Sequence, residues 1–193
     1  LTPRFTIWIR WLLALLGLWS GCAFAADSGR PVGEYQAKAV FLFNFTRFIE
    51  WPEAAFSTAS SPIVIGIVGE DPFKGALEEA IRGETVRGRP LALKHFSADD
   101  SLAGCHILFL SRSIREHLDA TLRKVSGLPI LTVADTSGWC ERGAMINLPL
   151  IQGSVKMEIR LAAARRGGLN ISSKLLNLAK IIPGERETGA GQP

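Results

Sequence analysis

The chain has 193 residues, of which 47% are hydrophobic, enough for one domain with a real core and short for two. Its net charge of +4 is weak, and an excess spread along the chain gives no clustered basic face, so nucleic acid is not expected as a partner.

The first residues place Arg4 and Arg10 before an apolar run from Trp11 to Trp19, then small residues ending Ala23-Phe24-Ala25. That order is the basic, apolar and A-x-A pattern of a secretory signal, and cleavage is expected before Ala26. The run is too short for a comfortable membrane span, which takes about 20 apolar residues. Cys22 follows the bulky Trp19 by three positions, where a lipobox carries a small aliphatic residue. Loss of residues 1–25 removes two arginines and no acid, so the net charge falls from +4 to +2. The expected compartment is the periplasm, which lacks a nucleotide pool and permits disulfides.

Glu34 to Trp51 carries Val40, Phe41, Phe45, Phe48 and Ile49 at helical spacing and stops at Pro52. Ile63-Val64-Ile65-Gly66-Ile67-Val68 reads as a β-branched strand, followed by Asp71-Pro72 as cap and first residue of a helix reaching about Arg82. Strands are expected again at Pro90–Phe96, His106–Leu110 and Leu128–Ala134, with a helix from Ser111 or Ser113 through Val125 between the last two. Ala144–Leu148 and Ser154–Leu161 read as an antiparallel hairpin. A short helix at Leu161–Arg166, a Gly167-Gly168 break and a helix from about Ser173 to Ile182 complete the domain. The polar, Gly-rich residues 184–193 are expected to be a disordered tail. The pattern predicts a single three-layer α/β domain over residues 26–183. Its sheet is mixed and mostly parallel, of about five or six strands, with helices on both faces and a late antiparallel hairpin.

Catalytic motifs are missing: there is no G-x-G-x-x-G, no phosphate-binding G-x-x-x-x-G-K-[ST] and no G-x-S-x-G. Glu70 and Asp71 place negative charge at the turn after the first strand, which disfavours an anionic cofactor there. Cys105 and His106 are neighbours on a strand, so their side chains point to opposite faces and form no thiolate–imidazole pair. His95, His106 and His117 fall on three elements without metal-ligand spacing, so no metal is expected. Cys105 and Cys140 flank opposite ends of neighbouring strands, farther apart than the roughly 7 Å that a disulfide tolerates. An enzyme is therefore not expected, nor a cofactor.

Several segments together carry a resemblance: the helix from Tyr35 to Pro52, Val68–Phe73, Val86–Leu91, Cys105–Ser111, Leu131–Asp135, and the stretch from Val155–Ile159 through Gly168–Leu176. In this order, behind a signal sequence, the chain resembles the YfiR-like family of periplasmic regulators. The resemblance implies a non-enzymatic repressor of a membrane-bound diguanylate cyclase, acting on the cyclase's periplasmic sensor domain and so controlling cyclic-di-GMP and biofilm formation. The partners expected are that inner-membrane cyclase, a second copy of the chain in a homodimer, and a small-molecule effector of unidentified chemistry. A small-molecule-binding sensor without direct cyclase control is the alternative. Family members often carry further cysteines in structural disulfides and tend to have Asn where Arg160 stands.

Binding is expected near the late strand and last helix, where Glu158, Arg160, Asn170, Ser172 and Ser173 crowd around apolar elements. The same residues also read as a helix cap, in Ser172 or Ser173, and a solvated strand face, in Glu158. Arg47 and Trp51 on the first helix are the next candidates.

Overall fold

A computed structural model of the chain describes residues 33–97 and 99–183. The expected signal sequence, its cleavage site and the polar tail lie outside the described residues. The first element is α1 (Glu34–Phe48), whose Leu42 and Phe45 are fully buried against the sheet. It does not continue to Trp51 as its periodicity suggests. Ile49 turns extended, and β1 (Ile49–Glu50) pairs antiparallel with β11 (Asn170–Ile171). The late segment thus captures residues that locally favour helix.

The main sheet is built on β2 (Ile63–Val68), β4 (Arg89–Phe96), β5 (Ile107–Leu110) and β6 (Leu131–Ala134), all parallel. Its full order is β12-β10-β7-β6-β5-β2-β4-β3, with β3 (Thr85–Val86), β7 (Ile146–Asn147), β10 (Glu158–Ile159) and β12 (Lys180–Ile181) completing eight strands. The sheet is mixed and mostly parallel, as the sequence predicts. The count exceeds the expected five or six because two-residue strands at both edges are too short to leave a hydrophobic pattern.

Side-chain alternation divides the core into two layers. Ile65, Ile67, Ile107, Phe109, Leu131 and Val133 face α1 and α2 (Ala76–Ile81). Val68, Leu108, Leu110 and Ala134 face the other way, onto Leu118 of α3 (Leu118–Lys124) and Trp139. Gly66 is needed in β2 because a Cβ there would stand 2.6 Å from the Phe96 ring and 2.9 Å from Cys105 Sγ.

Four boundaries depart from the sequence reading. Asp71-Pro72 does not start a helix: Asp71 Oδ1 accepts a hydrogen bond from the Phe73 amide at 2.7 Å. Lys74 and Gly75 then take positive φ (51° and 89°), so α2 begins only at Ala76. Between Ser111 and Val125 the chain forms a short 3-10 turn at Arg112–Ile114, capped by Ser111, before α3. The expected hairpin exists as β7 paired antiparallel with β10, but its arms are interrupted by a second small hairpin, β8 (Leu150–Ile151) with β9 (Ser154–Val155). After α4 (Leu161–Arg166) and β11, the last helix is a single turn, α5 (Ser173–Leu176). The chain then becomes β12, parallel to β10, because the free edge of β10 offers hydrogen bonds that a helix continued to Ile182 would leave unmade.

Candidate functional site

Helix α1 runs antiparallel to the parallel strands, so its two ends meet opposite ends of the sheet. At the carboxyl end, Lys38 is wholly buried and its Nζ lies 3.1 Å from Asp135 Oδ2, whose side chain is also wholly buried. Glu34 accepts from the same ammonium. Tyr35 donates its hydroxyl to Asp135 at 2.8 Å, and Arg112 stands 3.5 Å from that carboxylate. Burial, then the hydrogen bond to the Asp135 carboxylate, pushes the Tyr35 hydroxyl far above its ordinary range, so it stays a donor. A shallow polar depression of about 470 Å³ opens beside the cluster, with Glu34, Arg112, Arg115 and Thr136 on its walls.

At the amino end the chemistry is aromatic. Trp51 donates its Nε1 to the His106 carbonyl at 3.1 Å and meets the His106 ring edge-on. Phe56 stacks on the other side of that imidazole, at 4.4 Å between centroids. The Arg89 guanidinium covers Phe56 at 3.7 Å while donating to the Thr58 and Ser61 carbonyls, which fixes the stack from outside. His106 Nδ1 accepts from the Val64 amide at 3.1 Å, which assigns the ring proton to Nε2. Burial holds this imidazole below its ordinary value; the Ala55 carbonyl opposes that shift and the Arg89 charge adds to it. A pocket of about 260 Å³ lies here, lined by Thr46, Trp51, Glu53, Phe56, Ile63, Arg87 and Arg89.

The β1–β11 pair brings part of the expected site to this end. Asn170 donates to Glu50 at 3.0 Å, Glu50 pairs with Arg87 at 3.3 Å, and the Ser172 amide donates to the Phe48 carbonyl at 2.9 Å. Arg47, Glu50, Asn170 and Ser173 are exposed, and Trp51 is half-buried behind them. Arg47 lies over the Phe43 ring at 5.4 Å. Ser172 caps α5, its Oγ accepting from the Lys174 amide, so its hydroxyl is engaged in structure.

Glu158 and Arg160 do not join this group. Glu158 accepts from Asn147 at 3.1 Å and faces Lys180 at 3.8 Å, with only 12% of its side chain exposed. Arg160 is buried and donates to the Glu141 carbonyl at 3.2 Å, tying the loop after β6 to the start of α4. The expectations for both are corrected: Glu158 lies on a mostly covered strand between β7 and β12 and not on a solvated face, and Arg160 is held inside by the loop after β6 and not at an accessible binding surface.

Sequence reading missed Lys38 with Asp135, and Phe56 with Arg89. Lys38 has no local sign of burial, since its partner lies 97 residues away. Cys105 and Cys140 are unpaired and buried, and burial pushes both thiols up to about 12. Cys105 Sγ donates to the Ile107 carbonyl at 3.1 Å while the His106 ring serves Val64, so each is engaged elsewhere.

Residues 35–180 match the family described as YfiR/HmsC-like. That is well over half of the chain, and the protein belongs to this family.

Proposed function

We propose that this member of the YfiR/HmsC-like family is a periplasmic regulatory protein. It binds the periplasmic sensor domain of an inner-membrane diguanylate cyclase and holds the cyclase inactive, which lowers cyclic-di-GMP and biofilm formation. The observation that carries this reading is the family match from Tyr35 to Lys180, which implies a YfiR-type regulator. The contact surface we assign is the exposed lip of the amino end: Arg47, Trp51, Asn170 and Ser173, with Glu50 and Arg87 between them. It combines an aromatic residue, two arginines and polar rim residues, the composition enriched at protein interfaces.

Deleting the gene should raise cyclic-di-GMP and adhesion, and complementation should restore both. Arg47→Glu and Asn170→Arg should fail to complement at normal abundance, since exposed substitutions change stability by only about 0.5 kcal/mol. Arg160→Glu should instead lower abundance, because it places a carboxylate in a buried position next to the Glu141 carbonyl. Unchanged cyclic-di-GMP in the deletion strain would overturn the repressor reading.

A second reading rests on the 260 Å³ pocket behind the same lip. Its aromatic walls and two arginines suit a small planar anion. An effector that prefers one state of the protein would shift release of the partner.

A further inference from the structure

Three side chains from three elements converge at the carboxyl end of β2 and β4. Asp71 comes from the loop after β2, Glu78 from α2 and His95 from β4. One ligand atom of each lies within 4.8 Å of the other two. His95 Nε2 and Asp71 Oδ2 are 2.9 Å apart. The other Asp71 oxygen is held by the Phe73 amide, so Oδ2 is fixed in place and free of backbone. Glu78 supplies the independent sign. Its Oε2 is shut off from solvent and accepts no hydrogen bond, although a buried carboxylate oxygen left unmatched is costly.

From this arrangement we propose a binding site for a divalent transition metal of the zinc class, ligated by Asp71, Glu78 and His95. One imidazole and two carboxylates are a borderline-to-hard donor set that suits zinc or cobalt. Ligand atoms on a tetrahedral ion with bonds of about 2.0–2.1 Å stand roughly 3.4 Å apart. The pair at 2.9 Å opens slightly to reach that spacing and Glu78, which starts within 4.8 Å, closes by at most about 1.4 Å, which side-chain rotation supplies. The ion displaces the proton that His95 shares with Asp71 and gives the Glu78 carboxylate, one of whose oxygens is buried without a partner, a cation to bind. Three protein ligands leave a fourth position for water or for a side chain of another molecule. Sequence spacing hides the site, because the ligands are 7 and 17 residues apart along the chain and converge only when α2 folds back beside β4.

The test uses the purified mature protein, stripped with chelator and titrated with zinc by calorimetry and with cobalt by visible absorption. One equivalent should bind, with a cobalt spectrum of a low-coordinate nitrogen and oxygen site, and zinc should raise the melting temperature with concentration. His95→Gln and Glu78→Gln should each weaken zinc by about 10-fold or more, with unchanged circular dichroism. His117→Gln, on the exposed turn before α3, should bind as the parent does. Stoichiometric binding that survives both ligand substitutions, or no binding of either ion by folded protein, would overturn the site. Because these measurements need no cyclase, their outcome is independent of the repressor reading.

Discussion

At the carboxyl end of the sheet α1 buries an ammonium beside a carboxylate, Lys38 with Asp135, whereas at the sheet's amino end the segment after it delivers Trp51 to a stack of rings capped by an arginine. The first contact works by charge in a dry place. Each of its members depends on the others to be tolerable. The second works by stacking and by carbonyl hydrogen bonds, and its outer residues Arg47, Glu50, Arg87 and Asn170 remain in water. An electrostatic anchor holds one end of the helix, and the surface we propose as the contact lies at the more tolerant aromatic end.

The comparison breaks most readily at Lys38. Lys38→Met should cost about 3 kcal/mol, since it leaves the buried Asp135 carboxylate with the Tyr35 hydroxyl and the more distant Arg112 but no buried cation, and urea denaturation measures it. Replacing Asp135 with Leu in the same chain should recover part of that loss. If Lys38→Met unfolds no more easily than the parent, the anchor is not electrostatic.

Acid should act on the other end. His106 is held below its ordinary value of 6.5 mainly by burial, with Arg89 adding. The unfolded chain therefore takes up its proton first as pH falls. The stability linked to this group is complete above about pH 6.5 and is lost as pH drops towards the folded value. Protonation would also set a donor against the Val64 amide that His106 Nδ1 now accepts, an unmatched contact worth about 1–3 kcal/mol. Denaturation midpoints at pH 7.5 and pH 5 should differ in the parent and converge in His106→Asn.

Smaller effects sharpen the contrast. Trp51→Phe removes a hydrogen bond to a carbonyl that also accepts from the Leu131 amide at 2.8 Å, so about 1 kcal/mol should be lost. Arg87→Ala breaks an ion pair whose partners are each more than half exposed, and less than about 0.5 kcal/mol should change. Equal denaturation curves with altered cyclic-di-GMP output for Arg87→Ala would place it in the contact surface.

Much of this was readable from the chain. The apolar runs at Ile63–Val68, Ile107–Leu110 and Leu131–Ala134 lie where both faces are buried, so continuous apolar character located them without alternation. The family signature is likewise a local string. What escaped depends on partners distant in sequence. Ile49 leaves the helix only because Ile171 pairs with it. Arg160 finds its partner only when the loop after β6 brings the Glu141 carbonyl to it, 19 residues away. Phe56 and Arg89 acquire a role only when residues 33 positions apart are stacked. Propensity carries no record of such encounters.

The small ribbon of β1 with β11 joins residues 120 positions apart, Glu50 to Asn170. Delivered amino end first, the chain releases Glu50 well before Asn170, with 119 residues still to emerge between them. For that interval the carboxyl end of α1, with Phe48 and Ile49, has no pairing strand. The first helix of the domain is therefore among the last parts to be secured, and a chain shortened before Asn170 would keep its central sheet while leaving that end of α1 open to proteases.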